Sequence, residues 1–305
     1  MSLALAFLNV WLRATEKPFL TRETDVERAR ARITRQSGLL ADPPGVRYRD
    51  APVGGVPATW VDGPPDAPLI LWFHGGAYCL GSPRSHRAMV AALARRLGAR
   101  AVLPDYRLAP EHPFPAAPED ALAVWRGLLQ ADEAPDRIAL GGDSAGGGVA
   151  LALMHMIGSE GLPMPAAAAV FSPWADLTLS GASLRTLARR DVMLPARRLP
   201  EIRDVYLAGA EPTDPRASPH LGRFAGAPPV LVLASAVEIL RDDARMVAQR
   251  LEADGVDVTL EEWRAVPHAW PLFQGQIPEA DAALDRAAAF LAAAMARRPE
   301  DRGAA

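Results

Sequence analysis

The chain has 305 residues, 50% hydrophobic and 23% charged, with a formal net charge of -3, which is enough apolar material for one large domain or two small ones and excludes an acidic disordered chain. Its basic residues are arginines apart from Lys17, and without a broad positive field neither nucleic acid nor an anionic membrane is an expected partner. One cysteine, Cys79, excludes an internal disulfide, and no CxxC or CxxH pair offers metal-ligand spacing.

The first twelve residues, MSLALAFLNVWL, are fewer than the about 20 needed to span a bilayer. They have neither a basic n-region nor a clear cleavage site, so a cytoplasmic chain without stable membrane insertion is expected. Leu3, Phe7, Leu8 and Trp11 share one helical face, which predicts an amphipathic helix that docks on its own protein or lies at an interface. Arg28, Arg30, Arg32 and Arg35 alternate with Asp25 and Glu27 and read as the solvated face of a second helix.

From about residue 45 the pattern changes to short β-rich runs alternating with alanine-rich helical stretches, the mark of a mainly parallel sheet covered by helices on both faces. VRYRD and PATWVDG read as an opening antiparallel pair around Gly54-Gly55. PLILWFHG, ARAVLPDY, RIALGGDS, AAAAVFSPW, PPVLVLAS and VTLEEWR follow as continuous apolar strands, making eight in all. Helices are predicted over 85–97, 116–130, 145–157, 241–254 and 279–296. The stretch 177–227 is too long for an ordinary connection, carries LRTLARR and LPEIRDVYLA as predicted helices, and reads as functional. The tail RRPEDRGAA reads as frayed.

In open α/β sheets ligands bind beyond the carboxyl ends of the strands. Gly142-Asp143-Ser144-Ala145-Gly146 fits the G-x-S-x-G elbow, with a buried strand before it and a helix behind it. A capping serine in a glycine-rich turn explains the pentapeptide alone; a phosphate loop would need a following Gly-Lys-Ser/Thr, which is missing. An acyl-transfer serine also needs rigid N–H donors where negative charge develops. His74-Gly75-Gly76 matches the loop that supplies them, so Gly75, Gly76 and Ala145 are the expected oxyanion-hole residues.

The serine hydroxyl needs a base. With the order serine, acid, histidine, His74, His86 and His112 come too early, His155 falls within the helix behind the serine, and His220 lies in the long insertion; His268 remains. The acid is expected after PPVLVLAS. Glu238 lies in the loop, while Asp242 and Asp243 open the next helix, where the dipole favours carboxylates without catalysis; both stay as alternatives.

From residue 69 to about 273 the chain resembles the bacterial carboxylesterases similar to hormone-sensitive lipase, a branch of the α/β-hydrolases. The resemblance rests on HGGAYCLGS, DYRLAPEHPFPAAPED, GGDSAGGGVALAL, SPWADLTLSGAS, DPRASP, EILRDDA and Pro267-His268-Ala269-Trp270. It implies Ser144 as nucleophile, His268 as base, Glu238 as acid in place of the usual aspartate, and Gly75 and Gly76 in the oxyanion hole. It also implies an α/β-hydrolase domain over 45–176 and 228–305, with a helical cap made from 1–44 and 177–227. The usual His-Gly-Phe is His268-Ala269-Trp270 here, a change in the pocket wall. Asp105, Arg107 and Glu111 correspond to a structural loop network, Trp174 is either a pocket wall or a core residue, and Cys79 reads as a small buried side chain.

The expected activity is that of a serine carboxylesterase acting on a small-molecule ester through an acyl-enzyme on Ser144, with no cofactor and no metal. A short-to-medium acyl range and a homodimer are implied by the resemblance. The residues alone leave open an amide or peptide hydrolase with the same triad and a catalytically silent small-ligand binder on this fold.

Overall fold

The computed structural model describes residues 1–38 and 40–296; the expected frayed tail lies outside the described residues. Eight strands form one sheet: β1 (Tyr48–Asp50), β2 (Ala58–Val61), β3 (Leu69–Phe73), β4 (Arg100–Pro104), β5 (Ile138–Asp143), β6 (Ala167–Phe171), β7 (Val230–Ser235) and β8 (Val258–Trp263). Their spatial order is β1-β2-β4-β3-β5-β6-β7-β8. β2 runs antiparallel to β1 and β4, and every other pairing is parallel.

The sheet is buried on both faces because its central strands are almost entirely apolar, Asp143 at the end of β5 being the charged exception. In β3, Leu69, Leu71 and Phe73 join one core with α5 (Ala116–Gln130), α6 (Ala145–Ser159) and α9 (Arg241–Ala253). Ile70 and Trp72 point the other way, into a core shared with α4 (Pro83–Leu97) and α10 (Pro278–Ala296). This is the period-two alternation of a strand between two helical layers. β8 departs from the expected continuous apolar strand: as the sheet edge it is half-buried throughout.

The N-terminal segment folds as α1 (Leu3–Trp11), a π-helical turn (Leu12–Glu16), α2 (Lys17–Arg22) and α3 (Val26–Ser37). α1 docks, but on a different face from the one expected. Leu5, Leu8 and Leu12 are buried, whereas Leu3 is 91% and Phe7 74% exposed. The only polar side chain in α1 points inward, with Asn9 Nδ2 donating to the Ala265 carbonyl at 2.8 Å. With no polar stripe to set the rotation, the fit against α10 decides it.

In the insertion, α8 (Leu199–Leu207) forms as expected, but LRTLARR does not: helix α7 covers only Ser183–Thr186. The buried Asp191 instead turns the chain, its Oδ1 accepting the N–H groups of Met193 and Leu194 at 2.8 Å each. Cationic side chains join this segment to the N-terminal one by donating to main-chain carbonyls. Arg13 reaches Arg189 and Arg190 at 2.9 and 3.0 Å, Lys17 reaches Ala188 and Asp191 at 2.7 and 2.6 Å, and Arg198 reaches Glu23 at 3.0 Å.

Candidate active site

Ser144 sits between the end of β5 and the start of α6 at φ +53°, a conformation rarely adopted by a residue with a side chain. The turn is held from three sides. Ser144 N–H donates to Phe171 O at 2.9 Å, and its carbonyl accepts Trp174 N–H at 2.9 Å and Gly148 N–H at 3.1 Å. Glycine is needed at 146 because a Cβ there would lie 2.1 Å from the Phe73 carbonyl oxygen. The side chain faces a largely apolar cavity of about 510 Å³ whose walls also include His268.

His268 follows β8 and is buried, and its Nδ1 lies 2.5 Å from Glu238 Oε2. Glu238 is held in turn by its other oxygen, which accepts the Ser235 N–H at 2.7 Å. The two loops are pinned to each other and to their surroundings. Ser235 Oγ donates to Val266 O at 2.6 Å, Ile239 N–H donates to Asp191 Oδ2 at 2.9 Å, and Ala269 N–H donates to Ser172 Oγ at 3.1 Å. Burial opposes a charge on His268, but the hydrogen bond and negative charge of Glu238, aided by Asp191 and Asp143, raise its pKa above the ordinary histidine value. The Ser144 hydroxyl makes no hydrogen bond among the described residues; a looser serine–histidine approach is common before substrate binds.

The alternative acids are engaged elsewhere. Asp243 accepts the N–H groups of Ala175 and Asp176 at 3.1 and 2.9 Å, and burial together with nearby Asp176 raises its pKa well above the carboxylate range. Asp242 accepts Ser183 N–H at 2.8 Å and pairs with Arg241 at 3.0 Å. Two of the other histidines are likewise occupied: His220 lies against Ala175 O and His155 accepts Arg223 N–H.

The expected oxyanion residues separate in the structure. Gly75 N–H donates to His86 Nε2 at 3.1 Å, so the expectation that it serves the hole is corrected: this donor is already spent. His86 also lies 3.1 Å from Asp143 Oδ2 and 2.7 Å from Ser85 Oγ, and Trp72 Nε1 donates to Asp143 Oδ1 at 3.1 Å. The N–H groups of Gly76, Ala77 and Ala145 have no acceptor among the described residues. Gly76 stands at φ +133°, and a Cβ there would lie 2.0 Å from the Leu80 carbonyl oxygen. Ala77, a free donor that the sequence did not single out, stands at φ +55°, a conformation usually left to glycine.

Behind this loop, His74 stacks on Tyr106 with ring centroids 4.3 Å apart, and Tyr106 donates to the His74 carbonyl at 2.7 Å. Burial lowers the His74 pKa to about 3, so it is a neutral scaffold. Tyr78 stacks on Tyr206 of the insertion at 4.0 Å, linking the loop to α8. Arg107 holds Asp120 through a fork of bonds, Arg30 holds Glu111, and Trp174 is a cavity wall. Burial pushes the Cys79 thiol up to about 12, which keeps it inert. Among the described residues no group of three or more His, Cys, Asp or Glu is placed to hold a metal, and no helix is long and apolar enough to cross a membrane.

A family model for the α/β-hydrolase fold matches residues 70–272. The chain is 42% identical to an acetyl-hydrolase of Streptomyces hygroscopicus over 89% of this chain and 91% of that one. It is 35% identical to an esterase of Acinetobacter venetianus, over 83% and 84%. A crystal structure of an esterase from the bacterial hormone-sensitive lipase family superposes with a TM-score of 0.91 at 38% identity, covering 97% of this chain and 99% of that one.

Proposed function

From the premise that this chain belongs to the α/β-hydrolase family, among its hormone-sensitive-lipase-like esterases, we propose that it hydrolyses carboxylic esters through an acyl-enzyme on Ser144. The reaction class is that of its relatives, which include an acetyl-hydrolase, an esterase and an ethyl acetate hydrolase of Pseudomonas putida. One observation carries the assignment of residues: a buried Glu238–His268 pair opens onto the cavity that holds a strained serine.

The steps follow from the bonding. Glu238 accepts from Nδ1–H, which leaves Nε2 as the free base. As substrate enters, His268 takes the Ser144 proton, Ser144 Oγ attacks the ester carbonyl, and the imidazolium that forms is stabilised by the Glu238 charge. The oxyanion of the tetrahedral intermediate accepts from Gly76, Ala77 and Ala145 N–H, donors that need no rearrangement at the moment of reaction. The alcohol leaves with the His268 proton; water activated by the same histidine then releases the acid.

Residues 1–44 and 177–227 act in this reading as a two-part cap, supported by the walls each contributes: Phe7, Trp11 and Leu20 from one, Met193, Leu194 and Ile202 from the other. The largely apolar cavity suits an acyl chain, and a short-to-medium length is the reading adopted here. Cytoplasmic residence, in keeping with the single thiol, and a homodimer complete the proposal; cell fractionation and light scattering check them. The central test is initial rates of wild type and Ser144→Ala on p-nitrophenyl esters from acetyl to long chain. Turnover of short chains that the variant loses supports the reading; no turnover, or equal rates in the variant, removes Ser144 as nucleophile.

A further inference from the structure

Away from the strand ends, the cavity wall carries, among the described residues, one acidic side chain, that of Glu16 at the end of the π-helical turn. Glu16 is only 5% exposed, and wide turns of this kind recur at functional positions. Its contacts are lopsided. Oε2 receives Arg32 Nη2 at 3.0 Å, Arg32 Nε at 3.3 Å and Gln36 Nε2 at 2.7 Å, whereas Oε1 has only the Arg32 Nε at 3.4 Å. A carboxylate offers about four acceptor positions, so Oε1 keeps capacity that buried groups ordinarily use.

The neighbours define what the position would accept. Arg32, itself stacked over the Phe19 ring at 4.3 Å, offsets the carboxylate charge and removes the attraction for a cation. A neutral donor remains favoured. Gln36 also lines the cavity; one of its two Nε2 N–H groups is spent on Glu16 and the other has no partner among the described residues. A hydroxyl is the simplest group that both donates and accepts.

We propose that Glu16 and Gln36 form a polar subsite that takes a hydroxyl carried by the ester substrate away from its scissile carbonyl, the hydroxyl donating to Glu16 Oε1 and accepting from Gln36 Nε2. The substrate class is thus a hydroxylated ester. This rests on the reading that Ser144 cleaves esters in this cavity. Without the subsite, burying a hydroxyl among Leu20, Ile33 and Leu40 lowers affinity, so the two cases predict opposite preferences.

The test compares matched esters differing only in a terminal hydroxyl: p-nitrophenyl hexanoate against its 6-hydroxy analogue for the acyl side, and hexyl against 6-hydroxyhexyl acetate for the alcohol side. The subsite predicts that in one pair the hydroxylated member has the higher kcat/KM by about tenfold, expressed mainly in KM, the size expected for one hydrogen bond to a charged group. Glu16→Leu reverses that preference. Because this change strands Arg32, Gln36→Leu is measured beside it and reduces the preference, with a thermal melt of each variant. Equal kcat/KM within both pairs for the wild type, a preference for the unhydroxylated member in both, or an undiminished hydroxyl preference in folded Glu16→Leu overturns the subsite. Hydrolysis of none of the esters, or equal rates in Ser144→Ala, overturns instead the esterase reading on which it rests.

Discussion

Replacing Glu238 by glutamine keeps the size of the side chain and removes its charge, and the structure defines what the amide must then do. One carboxylate oxygen accepts the Ser235 N–H at 2.7 Å and the other faces His268 Nδ1 at 2.5 Å. An amide has one acceptor oxygen. If that oxygen serves Ser235, the NH₂ faces Nδ1 and drives the proton to Nε2, the tautomer that cannot deprotonate Ser144. If the amide turns round, NH₂ faces the buried Ser235 N–H, at a cost of about 1–3 kcal/mol for the unsatisfied donor, and no anion remains to stabilise the imidazolium. Loss of an aspartate charge in a comparable triad lowers kcat about 10⁴-fold, and roughly 10³–10⁴ is expected here. The assay is kcat and kcat/KM against pH on p-nitrophenyl butyrate. Since Glu238 does more than Asp191 or Asp143 to raise the His268 pKa, residual activity in the variant should titrate at lower pH than in wild type. A Glu238→Gln enzyme within tenfold of wild type, with an unmoved pH profile, would refute the role assigned to Glu238.

The wild-type rate should fall as pH drops through the His268 pKa, with the inflection of kcat/KM above the ordinary histidine value of about 6.5 because the pKa is raised; a flat profile from pH 5 to 8 would contradict the base assignment. Ser144→Ala should lose roughly 10⁶ in kcat, read by active-site titration and initial rates. Leu5→Ala should destabilise by about 3 kcal/mol, since Leu5 is fully buried beneath α1, whereas Leu3→Ala should stay within about 0.5 kcal/mol; urea unfolding separates them. Asp243 has a raised folded-state pKa, so it contributes stability present at low pH and lost as pH rises from its unfolded value through its folded one. Asp243→Asn should flatten that dependence in melts taken from about pH 4 upward.

The parallel sheet was legible because its strands are short, apolar at successive positions and bounded by glycine or proline, and the five principal helices lie close to the ranges their periodicity predicts. That Glu238, and not Asp242 or Asp243, stands beside His268 was legible through position alone: it lies in the loop, and the aspartates belong to a helix start. The rotation of α1 was not, because LALAFLNVW has one polar residue and that residue faces inward to a carbonyl 256 positions away. The Gly75 expectation failed for a related reason. A sequence shows that a loop is rich in glycine, but His86 from the following helix decides which N–H is already taken. Glu16 gave no signal, since its pairing with Arg32 and Gln36 depends on how two helices cross.

The join between the N-terminal segment and the insertion is made through carbonyl oxygens, as Arg13 and Lys17 reach the main chain of residues 188–191. Such recognition is blind to side-chain identity. Residues 188–190 are therefore free to change without unfastening the joint, provided their backbone path is kept, while Arg13 and Lys17 are not. Lys17 is the only lysine in the chain, so acylation of its amine, which removes the charge and two of the three donors, would loosen this joint at one residue.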